Sequence, residues 1–477
     1  MADHLYPFQI EGVDFLVKTK RALLGDDMGL GKTAQAITAC KRLNAQKILV
    51  ICPNSVKYVW QREFEKWEPS YDVRVVVGDK QQRLDQIWGT AQVVVINFEI
   101  VREWQVKVTK ELKQTDELKA LLSQTWDVMI IDEAHRVKSR HAQVTKAVTR
   151  LARQSTHNLF LLTGTPIMNR PDELWTLLRA ISPKQFTSYW RFVQSYCHVY
   201  HDGFGWVVGN LLPYRVAPLR EVLSHFAIRR TKNEVLQDLP EKTVQQVWVN
   251  LENDQLRVYR EMAKTMWTEL EGKVVSAAVV IAQITRLKQI AIDPKLMLSE
   301  DSPLEGAKVD ALGDILEGAG DQKVVVFSQF ARALRKLSAT LKIPHAMVTG
   351  DVTGKAREDS IQRFQTDSDC RVLLASIPAG GQGITLTAAS IAVFLDKAWT
   401  PAMNIQAQDR LHRIGQKKPV TIIELLAAGT VEEGIEKLLN SKIETFRKLF
   451  ELDWTEVVSQ GPLISKEELR ELLRSED

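Results

Sequence analysis

Short apolar runs of about five residues recur along the first third of the chain, and stretches with helical periodicity separate them. Runs of this kind, rich in Val, Ile and Leu, are typical of strands that are buried on both faces of a parallel sheet. The alternation therefore predicts an α/β fold in which helices cover both faces of a parallel sheet. The predicted strands are residues 22–24, 47–51, 73–77, 93–96, 128–131 and 159–162.

A second set of alternating elements begins near Lys308, with predicted strands at residues 323–327, 371–375, 391–395 and 420–423. Between the two sets the sequence is rich in aromatic residues and mostly helical in pattern, and residues 299–306 have the Pro, Gly and mixed charge of a linker. We therefore expect four parts. These are a first lobe at residues 1–170, helical insertions and a lobe connection at 171–300, a second lobe at 301–450, and a helical tail at 451–477.

A glycine-rich loop, residues 25–33, lies between the first predicted strand and a predicted helix. Backbone N–H groups in such a turn can cradle a polyphosphate, and the helix N-terminus adds a positive dipole end. Lys32 would reach the β- and γ-phosphates, and the Thr33 hydroxyl would hold Mg²⁺. Asp26 stands where the strict phosphate-loop pattern has its first Gly, so an ordinary strand-to-helix turn is the alternative.

Two carboxylates, Asp132 and Glu133, directly follow the predicted strand at residues 128–131. A carboxylate at a strand end can hold the Mg²⁺ that Thr33 shares, and its neighbour can orient the attacking water. The alternative is a helix cap with a charged first turn. Residues 163–166, Thr-Gly-Thr-Pro, end the next strand and would sense the phosphate or form a simple turn.

Three further groups of residues have polar side chains suited to nucleotide binding. Gln9 lies on a predicted helix and can pair with an adenine edge, or it is an exposed helical residue. Gln406, Arg410 and Arg413 would share one helix face, where the guanidiniums would act as arginine fingers or form a structural pair with carboxylates. The basic cluster at residues 229–232 would touch phosphates or form a salt-bridged helix end.

Composition narrows the class of protein. The net charge of +4 permits nucleic-acid binding without establishing it. The four cysteines lie far apart without a C-x2-C pair, which argues against a zinc ribbon or a disulfide framework and favours a reducing cytosol. No apolar run is long enough for a membrane span, and the N-terminus lacks the pattern of a secretory signal. We therefore expect a cytoplasmic protein.

In their order along the chain, these stretches resemble the motifs of the Swi/Snf-type family of superfamily-two helicase-like ATPases. The resemblance extends from about Leu5 to about Leu449. Its most family-specific parts are residues 226–232 and 412–416. The remaining matches are Gln9 and residues 29–33, 132–135, 163–166, 327–330, 380–386 and 406–416.

The resemblance implies two RecA-like lobes with ATP bound between them, and ATP-driven movement along double-stranded DNA. It implies that Lys32, Asp132, Glu133, Arg410 and Arg413 carry hydrolysis, with Mg²⁺ on Thr33 and Asp132. The nucleotide contacts that it implies are Gln9, Asp27, Met28, Gly29, Leu30, Gly31, Lys32, Thr33, Gly383 and Gln406. The DNA contacts that it implies are Pro53, Asn54, Ser55, Asn97, Ser328, Gln329, Gly350, Ser376 and Trp399.

Residues 376–378, Ser-Ile-Pro, depart from the family's usual Thr-Arg or Thr-Lys before the glycine loop, which removes a basic DNA contact there. We expect a DNA-stimulated ATPase that translocates on duplex DNA and displaces or remodels what is bound there. A strand-separating or annealing helicase and a nucleotide-gated DNA-binding module with little turnover are the alternatives. No accessory module is recognised, so a monomeric motor of a bacterial, archaeal or phage type is expected.

Overall fold

The protein is described here by a computed structural model. The chain falls into two compact units, which among the described residues cover 5–236 and 239–436. The described residues are 5–105, 112–154, 156–164, 172–201, 206–236, 239–251, 253–270, 277–298, 306–352, 354–380, 384–399 and 401–436.

The first unit is built on a seven-stranded sheet in which every neighbouring pair is parallel, in the order β11-β1-β8-β7-β2-β4-β3. Two antiparallel pairs, β5 with β6 and β9 with β10, lie apart from this sheet. The strands are β1 (Arg21–Leu24), β2 (Ile48–Cys52), β3 (Val73–Val75), β4 (Val93–Asn97), β5 (Glu103–Gln105), β6 (Leu112–Gln114), β7 (Trp126–Asp132), β8 (Thr156–Leu162), β9 (Cys197–His201), β10 (Trp206–Leu211) and β11 (Ala227–Ile228).

Both faces of this sheet are covered, because successive strand residues alternate between two apolar cores. Met129 and Ile131 of β7 pack in one core, and Val128 and Ile130 pack in the other. The helices of the unit are α1 (Pro7–Thr19), α2 (Lys32–Arg42), α3 (Lys57–Trp67), α4 (Lys80–Trp88), α5 (Asp116–Leu122), α6 (Gln143–Gln154), α7 (Glu173–Ile181), α8 (Tyr189–Tyr196), α9 (Pro213–Ser224) and α10 (Lys232–Val235).

The second unit has a six-stranded parallel sheet in the order β12-β17-β16-β13-β15-β14. Its strands are β12 (Lys242–Asn250), β13 (Val324–Ser328), β14 (His345–Val348), β15 (Val372–Ser376), β16 (Ile391–Phe394) and β17 (Val420–Ala428). Its helices are α11 (Asn253–Leu270), α12 (Ala277–Ile292), α13 (Ala307–Gly318), α14 (Ala331–Thr340), α15 (Gly354–Thr366), α16 (Ile377–Gly380) and α17 (Pro401–Gln408). Apolar cores lie on both faces of this sheet as well. The predicted α/β class with two parallel sheets is confirmed.

Residues 171–300, predicted to be mostly helical, also contain the strands β9, β10, β11 and β12. Strand β12 lies inside this range and pairs with β17 along nine residues, so it belongs to the second sheet. The sequence signal was weak because most of β12 is exposed and polar residues interrupt its apolar ones. Residues 299–305 of the predicted linker and the whole predicted tail, residues 451–477, lie outside the described residues. Among the described helices, none combines the length and the hydropathy that crossing a bilayer requires.

Candidate active site

The glycine-rich loop connects β1 to α2 at the carboxyl end of the strand. Gly29 and Gly31 have φ angles of 84° and 74°, which favour glycine because a Cβ is strained in this conformation. Gly31 is the N-terminal cap of α2, and the helix begins at Lys32, two residues earlier than the sequence suggests. The loop therefore has the strand–turn–helix context that a phosphate-binding loop requires.

Asp26, the residue that departs from the phosphate-loop pattern, is completely buried. Its Oδ1 accepts hydrogen bonds from the backbone N–H and Nε of Arg230, and its Oδ2 accepts one from Arg230 Nη2 at 2.6 Å. Gln35 of α2 also donates to Asp26 Oδ2, at 3.1 Å. Asp26 is thus a buried structural group that holds the loop, and Arg230 is its salt-bridge partner.

The segment around β11 supports the loop at further points. Gly25 N donates to Ile228 O at 2.8 Å, and Asp27 N donates to Arg230 O at 2.9 Å. The carboxylate of Asp27 accepts from Lys232 N at 3.1 Å and lies 3.4 Å from Arg229 Nη2. The basic cluster therefore packs against the loop, as its salt-bridge alternative predicts. Sequence reasoning missed these partners, because no local pattern pairs residues about 200 positions apart.

The Lys32 ammonium lies over the loop, where its Nζ donates to Asp26 O at 2.6 Å and Asp27 O at 3.1 Å. Burial lowers the pKa of Lys32, and four nearby carboxylates act in the opposite direction. In decreasing order of effect, these are Glu133, Asp26, Asp132 and Asp27. The predicted lysine of the loop is therefore close to both predicted catalytic carboxylates.

Asp132 ends β7, and each of its carboxylate oxygens accepts one hydrogen bond. Trp60 Nε1 donates to Oδ2 and the Glu133 backbone N–H donates to Oδ1, both at 2.9 Å. Burial, and then the neighbouring Glu133, raises the pKa of Asp132 to about 6. A divalent cation would favour the ionised form, and lone pairs remain on both oxygens, so this donor set fits Mg²⁺. Trp60 is a positioning residue that sequence reasoning missed.

Glu133 adopts a left-handed backbone conformation with φ 49° and ψ 51°, which is uncommon for a non-glycine residue. Its Oε2 lies 3.3 Å from His135 Nδ1, and the same nitrogen lies 3.2 Å from Thr163 Oγ1. Burial, and then Lys138 and Arg136, lowers the pKa of His135 to about 4, so this imidazole is neutral at pH 7. The His135 imidazole therefore links the carboxylate pair to Thr163. Thr165 and Pro166 lie outside the described residues.

Gln9 is buried, with 3% of its surface exposed, and contacts the loop. Its Nε2 donates to Leu30 O at 3.0 Å, and its Oε1 accepts from Tyr6 N at 2.9 Å at the start of α1. The alternative of an exposed helical glutamine is therefore wrong. The side chain is tied to the loop backbone next to Gly31.

The arginines of the second unit do not lie on one helix face as predicted. Helix α17 ends at Gln408, so Gln406 lies on it while Arg410 and Arg413 lie in the following turns. After Gln408 the backbone tightens to bonds between residues three apart, because Arg410 N donates to Ala407 O at 3.2 Å and Leu411 N donates to Gln408 O at 3.1 Å.

Arg410 is nearly buried, and Arg413 Nη1 donates to Ile384 O at 3.4 Å. Arg357 of α15, which sequence reasoning missed, lies close enough that Arg410, after burial, lowers its pKa. The second unit thus brings guanidinium groups together near residue 384. The predicted nucleotide contact Gly383 lies outside the described residues.

The predicted DNA contacts of the first unit differ in exposure. Asn54 and Ser55 are exposed in a short turn directly after β2, whereas Pro53 is buried. Asn97 is also buried, and its amide accepts from Lys57 Nζ at 3.3 Å and donates to Glu99 Oε2 at 2.9 Å. The Asn97 side chain is therefore engaged inside the unit.

In the second unit Gly350 is exposed and Trp399 is partly buried under Lys288 Nζ, 5.3 Å from the ring centroid. Ser376 and Ser328 are buried. The Ser328 hydroxyl donates to Asp396 Oδ1, and Gln329 N donates to the same carboxylate at 3.2 Å. The Ser328 hydroxyl is therefore engaged inside the unit at the end of β13, and the DNA contact at Ser328 stays a prediction.

Sequence comparisons identify relatives of more than nine tenths of the chain. The profile of the SNF2-related domain matches residues 8–296, and that of the helicase conserved C-terminal domain matches residues 307–415. The DNA annealing helicase and endonuclease ZRANB3 of Homo sapiens is 32% identical over 92% of this chain and 40% of its own length. SWI/SNF-related matrix-associated actin-dependent regulator of chromatin subfamily A-like protein 1 of Xenopus tropicalis is 30% identical over 93% of this chain and 45% of its own length.

The chain thus spans less than half the length of these curated relatives. Among solved structures, the Sulfolobus solfataricus SWI2/SNF2 ATPase core in complex with dsDNA is 26% identical. That alignment covers 99% of this chain and 97% of the other, with a TM-score of 0.43.

Proposed function

The chain belongs to the SNF2-related family, whose profile covers more than half of it, and we propose that it is an ATP-dependent double-stranded DNA translocase. In this proposal ATP hydrolysis drives movement along DNA and displaces or remodels bound proteins or DNA structures. The curated relatives extend well beyond the part that this chain matches, so the proposal concerns the ATP-driven motor alone.

The observation that carries the proposal is the environment of Lys32. Its ammonium lies on a loop with the geometry of a phosphate cradle, and Asp132 and Glu133 act on it electrostatically. An ammonium beside two carboxylates at the carboxyl end of a parallel sheet is the arrangement that phosphoryl transfer to water uses.

Each predicted nucleotide-site residue of the first unit then has a role. The loop N–H groups at residues 27–33 and the Lys32 ammonium bind the phosphates, and Gln9 contacts the adenine. Asp132 and the Thr33 hydroxyl would hold Mg²⁺, which neutralises developing negative charge on the phosphates when it is bound. Glu133 orients the attacking water, and its contact with His135 restrains the carboxylate.

Arg410 and Arg413 of the second unit contribute to turnover in this proposal, with Gln406 and Gly383 as further nucleotide contacts. Guanidinium groups stabilise charge that develops on a transferring phosphoryl group. Arg410 is nearly buried and lies close to Arg357, so an anion nearby would also relieve repulsion between these cations.

DNA would contact loop tips at the carboxyl edges of the two sheets. Asn54, Ser55 and Gly350 have the exposure that sequence-independent phosphate contacts require. Gln329 and Trp399, which are partly exposed, are secondary candidates. The buried residues Pro53, Asn97, Ser328 and Ser376 would act by supporting their loops.

Phosphate release tests the proposal when it is titrated separately with single-stranded DNA, duplex DNA, forked DNA and RNA. We expect the largest stimulation with duplex DNA and none in the Lys32→Ala variant. The proposal fails if duplex DNA binds without stimulating turnover, which is the behaviour of a nucleotide-gated binding module.

Strand annealing is a second candidate, because the human relative is named a DNA annealing helicase. Annealing of complementary strands, measured with and without ATP, separates this activity from translocation, which is measured by displacement of a third strand from duplex DNA. Robust unwinding of a plain fork would instead favour a strand-separating helicase.

A further inference from the structure

A polar cavity of about 420 Å³ opens between α6 and α7 of the first unit. None of its lining residues belongs to the glycine-rich loop or to the predicted nucleotide contacts. A volume of this size holds a tetrahedral oxyanion together with several waters, because one water takes about 30 Å³. The lining residues are Arg140, His141, Thr145, Lys146, Thr149, Arg150, Arg153, Gln154, Trp175, Thr176 and Arg179.

The cavity is strongly cationic. Four arginines and a lysine line it, and no carboxylate is among its described lining residues. Lys146, Arg150 and Arg153 follow one another at spacings of four and three residues, so they lie on the same face of α6. Among the described residues none forms an ion pair with Arg140, Lys146 or Arg153, and Lys146 and Arg153 are exposed.

Two buried donors in the same wall make no hydrogen bond to any described residue. These are the hydroxyl of Thr145, a residue with 2% exposure, and the indole N–H of Trp175, a residue with 7% exposure. A buried donor that has lost its water without gaining a partner costs free energy, on the order of 1–3 kcal/mol. Both donors lie in the wall of a cavity whose other polar groups are mostly donors.

Two of the four arginines, Arg179 and Arg140, are held in place by contacts with their neighbours. Arg179 Nη1 donates to Phe186 O at 3.2 Å and to Thr187 O, and its guanidinium lies 5.1 Å from the Trp175 ring centroid. The Arg140 guanidinium lies 3.8 Å from the Tyr189 ring centroid. Burial, and then Arg153, lowers the pKa of Arg179, so like charges are close together here. An anion between them would remove that repulsion.

We propose that this cavity binds a phosphate-type oxyanion through Thr145, Trp175 and the surrounding cations. A tetrahedral anion accepts many hydrogen bonds at once, and neutral donors with arginine forks provide them. The anion comes either from a free phosphate compound or from the backbone of a nucleic acid. The proposal does not depend on ATP hydrolysis, because the site lies apart from Lys32.

Calorimetric titration with pyrophosphate tests the site in a Lys32→Ala background, which weakens binding at the glycine-rich loop. The double variant Lys146→Gln/Arg153→Gln should lower the affinity at least tenfold. Lys18→Gln/Arg74→Gln removes the same charge at exposed positions outside the cavity and should change the affinity less than twofold.

Thr145→Val is the sharper variant, because it keeps the shape of the side chain and removes a hydroxyl that has no partner. It should leave the unfolding midpoint unchanged or higher and still lower the pyrophosphate affinity severalfold. A purely structural role for Thr145 would give no loss of affinity. Equal affinity in the parent, the double variant and the Thr145→Val variant would overturn the proposal.

Binding of a short DNA duplex to the same proteins identifies the source of the anion. If the backbone supplies it, the cavity variant should bind DNA more weakly than the charge-matched control and with a smaller salt slope. If a free phosphate compound supplies it, DNA affinity should be equal in the two variants while pyrophosphate binding differs. If the charge-matched control loses pyrophosphate binding and DNA binding as much as the cavity variant does, the site is rejected.

Discussion

Arg230 Nη2 lies 2.6 Å from Asp26 Oδ2, and this buried pair joins two segments 204 residues apart in the chain. The geometry explains why a carboxylate is tolerated in a loop that is expected to bind phosphates. Its charge is engaged by Arg230 and Gln35 inside the unit, so it does not face the loop's N–H groups as a free anion.

Arg230→Gln should destabilise the first unit by on the order of 3–5 kcal/mol, because it leaves the Asp26 carboxylate buried without its cation. Urea unfolding followed by tryptophan fluorescence measures the change. Arg74→Gln, on an exposed strand position, should change the free energy of unfolding by less than about 0.5 kcal/mol. The double variant Asp26→Asn/Arg230→Gln should lose less unfolding free energy than the two single variants lose together. A loss equal to the sum of the two single losses would contradict the pairing.

Lys32→Ala should abolish DNA-stimulated phosphate release while the protein stays folded. The ammonium contacts only loop carbonyls here, so its loss removes phosphate binding with little effect on the core. Lys41→Ala is the matched control, since Lys41 lies on the same helix and its exposed ammonium contacts Glu68. Residual stimulated turnover above a few per cent would remove Lys32 from the proposed mechanism.

Trp60→Phe should move the acidic limb of the turnover profile to higher pH, by roughly half to one unit. The indole N–H donates to Asp132 and lowers the pKa of that carboxyl, so its removal makes the ionised form harder to reach. Trp67→Phe is the control, because the Trp67 indole donates to Glu63 instead. An identical pH profile for the two variants would show that Trp60 only packs.

The pKa of His135, lowered to about 4, predicts a loss of stability in acid. In the unfolded chain the imidazole takes up a proton near pH 6.5, whereas in the folded protein it does so only near pH 4. The free energy of unfolding therefore falls as the pH is lowered from 6.5 to 4. The raised pKa of Asp132 has the opposite effect, adding stability as the pH falls through about 6.

His135→Asn isolates the histidine contribution. The stability difference between wild type and this variant should fall by on the order of 3 kcal/mol from pH 7 to pH 4, at 1.36 kcal/mol per unit. His157→Asn, at an exposed position of β8, should show no such trend. Urea midpoints across this pH range provide the measurement, and a constant difference for His135→Asn would contradict a buried neutral imidazole.

Arg413→Ala should spare ATP binding and lower turnover by on the order of 10³, as loss of an arginine finger does. Fluorescent nucleotide binding and phosphate release, measured on the same protein, separate the two effects. Lys417→Ala removes a nearby exposed charge and should leave both unchanged. Normal turnover in Arg413→Ala would assign Arg413 to the structural contact with Ile384 O.

The sequence predicted those features that local pattern determines. Buried parallel strands leave continuous apolar runs, as in β2 and β4, and a phosphate-type loop leaves glycines at positive φ, as at Gly29 and Gly31. The carboxylate pair was found because it directly follows such a run. These signals depend on neighbouring residues, so one sequence is enough to show them.

Features that depend on distant segments were missed or misplaced. The Asp26–Arg230 pair and the Trp60–Asp132 bond join residues that no local pattern connects. Residues 409–413 have the composition of a helix, yet the chain leaves α17 at Gln408 in tighter turns, and Leu386 N of a distant segment donates to Arg410 O. Strand β12 escaped notice because an exposed edge strand has no apolar run.

Strand β12 has a consequence for the order in which the chain acquires its structure during synthesis. Lys242 pairs with Val420, so the ribosome adds 178 further residues (420 − 242) before the first partner of β12 exists. At about 5–20 residues per second, this edge strand waits on the order of ten to forty seconds with its backbone unpaired. During this interval both edges of β12 are unpaired, which makes it a template for pairing with another chain until β17 is made.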